Sequence, residues 1–133
     1  MAYLLDTNVV IMYLKGRSPS VGQRLDSLPE RDVFICSVVK LELTYGAMRS
    51  NRRDKTLTEQ STFFETYDSL SFNDTAAVIA GREKARLAKL GTPIGAHDLQ
   101  IAGIALANNL TLVTHNIREF QRIDGLRVED WEG

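Results

Sequence analysis

A single cysteine, Cys36, leaves the chain without any internal disulfide, which excludes a disulfide-stapled scaffold and fits a reducing compartment. No apolar stretch reaches the roughly 18 residues that a bilayer-spanning helix needs. No basic segment precedes the first apolar run, Tyr3-Leu4-Leu5, so the start does not read as a signal peptide and the protein is expected in the cytoplasm. No glycine-rich loop follows any apolar run, which removes the dinucleotide-binding and P-loop folds. A basic surplus is missing too: 16 Lys and Arg stand against 17 Asp and Glu, for a net charge of −1. Proteins that grip nucleic acid through its phosphates alone carry such a surplus. Any action on nucleic acid must therefore draw on local basic clusters or on bound cations. Arg49, Arg52, Arg53 and Lys55 form one such cluster in a loop-like stretch, and Arg82, Lys84, Arg86 and Lys89 another on one predicted helix. Both also read as solvated faces balanced by neighbouring acids.

What is present is an alternation of short β-type apolar runs with longer helical patterns over 133 residues, the length of one domain spanning 1–133. Strands are expected at Tyr3–Leu5, Val33–Cys36, Leu70–Phe72 and Leu110–Thr114, with a fifth, edge strand at Leu126–Val128. Helices are expected at Val9–Leu14, Val21–Leu28 and Asp54–Tyr67, and one from an Asn73 or Asp74 cap to the stop at Gly91 and Pro93. Ser37 is placed to cap a helix in which Val38, Leu41, Tyr45 and Met48 recur as a buried stripe. Leu99–Ala107 is rich enough in Ile, Ala and Leu to be a helix buried on most sides, and Asn116–Arg122 is a short last helix. Apolar strands joined by right-handed helical crossovers make a three-layer α/β/α sandwich around a mostly parallel sheet of about five strands. Ligands bind such sheets outside the carboxyl ends of the strands.

Four residues fall at that edge. Asp6 ends the first strand, Glu42 lies one turn into the helix after the second, Asp98 opens the Ala-rich helix, and Asn116 follows the fourth strand. Each has a local explanation. Asp6 can cap a helix, Glu42 can be a surface charge, Asp98 can answer the helix dipole, and Asn116 with Glu119 resembles a capping box. Together they are harder to explain, because three converging acids repel one another unless a cation lies between them. Oxygen ligands without cysteine select Mg²⁺ or Mn²⁺ over zinc. Such a site polarises a phosphoryl oxygen and activates water for in-line attack.

The segments LLDTNVVI, SVVKLELTYGA, GTPIGAHDLQIAGIAL and LVTHNIREFQRIDGLRVEDW closely resemble PIN-domain endoribonucleases, specifically the VapC-type toxins of toxin–antitoxin modules, over essentially the whole chain. The resemblance implies a PIN-like fold, with Asp6, Glu42 and Asp98 as catalytic, metal-binding acids and Thr7, Asn8, Thr114 and Asn116 as polar residues around the metal. Many PIN domains carry a fourth aspartate near position 116. Asn116 stands here instead, leaving one anionic ligand missing. The resemblance further implies a VapB-type antitoxin partner, a homodimer or a larger heteromer with the antitoxin, and an RNA substrate. For the enteric type, that substrate is the anticodon stem-loop of initiator tRNA. Arg49, Arg52, Arg53 and Lys84 are the candidates for RNA backbone contacts.

Other readings remain open on the residues alone. A binding module that had lost catalysis would be expected to lack one of the three acids. An aspartyl phosphohydrolase needs a second acid two residues after the first, where Asn8 stands. A receiver-type phosphoacceptor needs its aspartate after the third strand, where Phe72-Asn73 stands. His97 and His115 read either as acid–base groups or as surface hydrogen-bonding residues. Cys36 reads as a small core residue, and Trp131 as an anchor for the C-terminus or for an interface.

Overall fold

The computed structural model describes residues 1–132. The chain runs β1 (Tyr3–Leu5), α1 (Thr7–Leu14), α2 (Pro19–Ser27), a 3-10 turn (Glu30–Asp32), β2 (Val33–Cys36), α3 (Ser37–Met48), α4 (Arg53–Thr66) and β3 (Asp68–Leu70). It continues through α5 (Asp74–Lys89), α6 (Ala96–Ala107), β4 (Thr111–Val113), α7 (Ile117–Phe120) and β5 (Val128–Glu129). The five strands pair in the order β3-β2-β1-β4-β5, all parallel. The order reverses at β1. Connections from β1 to β3 step one way and those from β3 to β5 the other. Right-handed crossovers therefore put α1–α4 on one face and α5–α7 on the other. Among the described residues, no helix is long and apolar enough to cross a membrane.

Local chemistry accounts for most element ends. Ser18 Oγ accepts from the Val21 amide at 3.4 Å with Pro19 at the first helical position, so α2 starts there. Asn73 rather than Asp74 caps α5, its Oδ1 accepting from the Ala76 amide at 3.0 Å. The stop at Gly91 is as expected: its φ of +73° lets the Thr92 amide turn back to the Leu87 carbonyl at 2.9 Å. The centre of the sheet is fully apolar, with Leu4, Leu5, Ile35, Leu112 and Val113 all at 0% exposure. Helix α6 is buried from Leu99 to Ala105 apart from Gln100, and packs against α5. The approach is closest at Gly103, where a β-carbon would lie 2.8 Å from the Ala76 carbonyl oxygen.

Some boundaries and faces differ from expectation. The third strand is Asp68–Leu70 rather than Leu70–Phe72, and its first two residues are exposed because it is an edge strand. The fifth strand is Val128–Glu129 rather than Leu126–Val128, held by the Thr114 amide donating to the Glu129 carbonyl at 2.9 Å. Ser37 is the first residue of α3 and not its cap; its Oγ instead accepts from the Phe72 amide at 3.2 Å. The buried residues of α3 are Val38, Val39, Leu43 and Ala47, whereas Leu41, Tyr45 and Met48 are 51–61% exposed. Two apolar stripes run along this helix, and α1 and α4 cover only the one through Val39, Leu43 and Ala47. Trp131 anchors the C-terminus: it is buried, stacks edge-on against Tyr3 at 5.2 Å, and its carbonyl accepts from Ser20 Oγ at 2.7 Å. Cys36 is fully buried, which pushes its thiol up to about 11 and keeps it an unreactive core group.

Candidate active site

Every parallel strand points its carboxyl end to the same edge, and the turns leaving β1, β2 and β4 carry polar side chains into one place. Asp6 directly follows β1 and is 6% exposed. It does cap α1, its Oδ1 accepting from the Thr7 amide at 2.8 Å. That leaves the other oxygen free to accept from Thr114 Oγ1 at 2.8 Å. Thr114 is completely buried at the end of β4, so the sheet itself fixes the rotation of the carboxylate. Glu42, one turn into α3, is held at both oxygens: Oε1 accepts from Thr7 Oγ1 at 2.6 Å, and Oε2 faces His97 Nδ1 at 3.3 Å. Asp98 sits in the first turn of α6, where the helix dipole favours a negative charge.

A fourth acid joins them, and the sequence pattern concealed it. The capping box that Asn116 and Glu119 resemble does not form: Asn116 makes no capping hydrogen bond among the described residues. Its Nδ2 instead donates to Glu119 Oε2 at 2.6 Å, while Glu119 Oε1 accepts from the Gly95 amide at 3.1 Å. Glu119 is thereby turned towards Asp98. The carboxylate absent at position 116 is thus present three residues later, at Glu119 on α7. One signal was available in sequence: an acid one turn beyond Asn116 falls on the same helical face.

Electrostatics show how crowded these carboxylates are. Burial raises the Asp6 carboxyl above its ordinary value, with Glu42 and Glu119 adding to the rise and the hydrogen bonds from Thr114 and Thr7 opposing it. Burial, repulsion from Asp6 and Glu119, and a proton shared with Glu119 push Asp98 up to about 7. Among the described residues, no Lys or Arg pairs with Asp6, Glu42, Asp98 or Glu119; the one basic side chain on them is His97. Oxygen donors without a protein counter-charge are of the kind a hard divalent cation takes, but the four acids stand further apart than a bound ion would hold them: among the described residues, the one trio with ligand atoms within 4.8 Å of one another is His115, Asp130 and Glu132. The cleft beside Glu42, Gly95, His97 and Asp98 is open, with a volume of about 310 Å³.

The other predicted residues divide. Asn116 and Thr114 belong to the cluster, and the Asn116 amide donates to Thr114 Oγ1 at 3.0 Å. Asn8 lies exposed on α1 with no hydrogen bond to the acids among the described residues. His97 touches Glu42, whereas His115 turns away to Asp130 at 3.0 Å and Glu132 at 3.6 Å. Arg49, Arg52 and Arg53 gather where α3 meets α4, and the Arg49 guanidinium lies over the Tyr45 ring and donates to its hydroxyl at 3.0 Å. Lys84 is on α5, in the opposite layer, so the four basic residues do not form one surface.

A family model described as PIN domain matches residues 3–126, and the chain belongs to the PIN-domain family. Within the family it is similar to the tRNA(fMet)-specific endonuclease VapC of Shigella flexneri, with 39% identity over 98% of each chain. It is also similar to Ribonuclease VapC1 of Haemophilus influenzae, with 36% identity over 98% of each. Among solved structures it superposes on a DNA-bound VapBC complex from Salmonella typhimurium with a TM-score of 0.92, at 37% identity over 98% of both chains. VapBC-1 of nontypeable Haemophilus influenzae gives 0.90, at 34% identity over the whole of both. These likenesses run the length of the chain and place it among the VapC ribonucleases of that family.

Proposed function

We propose that residues 1–133 form one nuclease domain, a Mg²⁺- or Mn²⁺-dependent endoribonuclease toxin of a toxin–antitoxin module, in which Asp6, Glu42 and Asp98 hold the metal with Glu119 as a fourth acid. The observation that carries the reading is four carboxylates at one sheet edge with no Lys or Arg among them, two of them raised above their ordinary values by burial and mutual repulsion. A bound divalent cation supplies neutralisation of these charges, polarisation of a phosphoryl oxygen and activation of water. The chain's own residues prepare that chemistry. Thr114 and the Thr7 amide fix both oxygens of Asp6, and Thr7 Oγ1 with His97 orients Glu42, so these two carboxylates are held in place for the others to close with them on a cation. Asn116 and the Gly95 amide hold Glu119 beside Asp98.

The relatives' names support the substrate. The Shigella and Salmonella proteins are called tRNA(fMet)-specific endonucleases, and the initiator tRNA anticodon stem-loop is the substrate assigned here. The VapBC complexes support a VapB-type antitoxin as partner. The uncovered stripe of Leu41 and Tyr45 borders a recess with Thr7, Glu42 and His97, so an apolar antitoxin segment laid there reaches the acids directly. An arginine at its end would replace the cation by a charge-assisted hydrogen bond. Cleavage of total RNA with Mg²⁺, set against an Asp6→Asn control and followed by mapping of new 5′ ends, tests the assignment. New ends in initiator tRNA with wild type alone support it. Ends elsewhere with that tRNA intact overturn the substrate, and identical products from both proteins overturn the site.

A further inference from the structure

A recess with a strongly basic lining lies away from the acids. It opens between the end of α1, the end of α3 and the start of α4, has a volume of about 500 Å³, and is lined by Lys15, Arg17, Arg52 and Lys55 against one carboxylate, Glu59. In a chain of net charge −1 this is a strong local excess. Lys15, Arg17 and Arg52 have no ion-pair partner among the described residues, and Lys55 has only an exposed pairing with Glu59 at 3.9 Å. A second, independent feature lines the same recess. Gln60 is 5% exposed; its Nε2 donates to the Leu43 carbonyl at 3.0 Å, and its Oε1, itself shut off from solvent, has no hydrogen-bond partner among the described residues. A buried acceptor left unpaired is costly, and structures rarely keep one without a use.

We propose that this recess is an RNA-binding subsite, in which Arg17, Arg52 and Lys55 neutralise backbone phosphates and Gln60, on its floor, turns its unpaired Oε1 outward to accept a hydrogen bond from the seated nucleotide, through its 2′-hydroxyl or a base amino group. It rests on the ribonuclease reading and extends it. Helices α1 and α3 both lead here from the acids: Thr7 to Lys15 and Glu42 to Ser50 are each eight residues, about 12 Å along the axis. A strand seated in the recess therefore meets the acids a few nucleotides further on. A ribose-phosphate chain offers what the recess demands, closely repeated anions with a donor between them. Position and register on the RNA come from here, while the acids cut.

The test is binding of a fluorescein-labelled RNA stem-loop by anisotropy, across a salt series, in an Asp98→Asn background that leaves the RNA uncut. The triple variant Arg17→Gln, Arg52→Gln, Lys55→Gln is expected to raise Kd at least tenfold and to flatten the slope of log K against log salt by about 2, roughly 0.7 for each phosphate of single-stranded RNA that is no longer neutralised. All three side chains are exposed, so the fold survives. Gln60→Met is expected to raise Kd several-fold with the slope unchanged, since the hydrogen bond it removes is neutral. Arg31→Gln, an exposed cation outside the recess, leaves both unchanged. Wild-type Kd and slope in the triple variant overturn the proposal. So does loss of antitoxin binding with RNA binding intact, which assigns the recess to an acidic peptide. Failure of the ribonuclease reading looks different: the protein with its acids intact then leaves RNA uncut whatever the recess does.

Discussion

Replacing Asp98 by asparagine separates a metal site from an acid that only answers a helix dipole. Asn keeps the shape of the side chain and removes only its charge. In the metal-free protein at pH 8, Asp98 is ionised beside Asp6, Glu119 and Glu42, having been raised to about 7 by burial and by those neighbours. Its place in the first turn of α6 returns about 0.3–1 kcal/mol through the helix dipole, which Asn forfeits. Relief of repulsion and of desolvation opposes that loss, so the variant is expected to melt at or above the wild-type temperature without metal. Mg²⁺ then reverses the order. At a hundredfold excess over the dissociation constant it stabilises the wild type by about 2.7 kcal/mol. For a chain of 133 residues, with about 2.1 cal/mol/K of unfolding entropy per residue, that is a rise of about 10 °C. Asp98→Asn and Asp6→Asn are expected to lose most of this rise. Thermal melts of the three proteins with and without Mg²⁺ measure it by calorimetry or circular dichroism. Equal responses in all three would refute a shared site, because neither the cap that Asp6 makes nor the dipole that Asp98 answers depends on Mg²⁺.

The remaining predictions concern pH, the fourth acid, packing and products. Because Asp98 holds its proton more tightly folded than unfolded, the metal-free protein is expected to lose stability as pH rises from about 4 to about 7, while Mg²⁺ affinity grows across the same range; a Tm that climbs through that window contradicts the assignment. Glu119→Gln is expected to reduce the Mg²⁺-induced rise in Tm without abolishing it, and an unchanged rise removes Glu119 from the site. Gly103→Ala, which in an open helix gains about 1 kcal/mol, is expected here to destabilise by about 1–3 kcal/mol, since the new β-carbon meets the Ala76 carbonyl at 2.8 Å; a raised Tm would show that α5 yields freely. Cleavage is expected to leave 5′-phosphate and 3′-hydroxyl ends and to stop in EDTA, because water and not the 2′-hydroxyl attacks; cyclic phosphate ends detected by mass spectrometry refute that mechanism.

The sequence by itself determined the sandwich. Apolar runs too short to be helices, separated by 3.6-period segments with caps such as Asn73 and a stop at Gly91, admit little besides a parallel sheet with helical crossovers. It also determined Asp6, Glu42 and Asp98 as candidates, because acids at the ends of buried elements are visible in one dimension. What it left open needed long-range geometry. Only the tertiary structure decided that α1 and α4 cover Val39, Leu43 and Ala47 and leave Leu41, Tyr45 and Met48 to solvent, since both stripes have helical spacing. Only the tertiary structure turned Glu119 from a capping-box residue into a fourth carboxylate, by setting the Gly95 amide at 3.1 Å, 24 positions away in sequence. It separated Lys84 from the arginines by a whole layer and brought Lys15 and Arg17 to Arg52 instead, because the crossover direction reverses at β1. Periodicity fixes which residues share a face. Which faces meet is fixed by chain reversal and packing, and no local pattern encodes it.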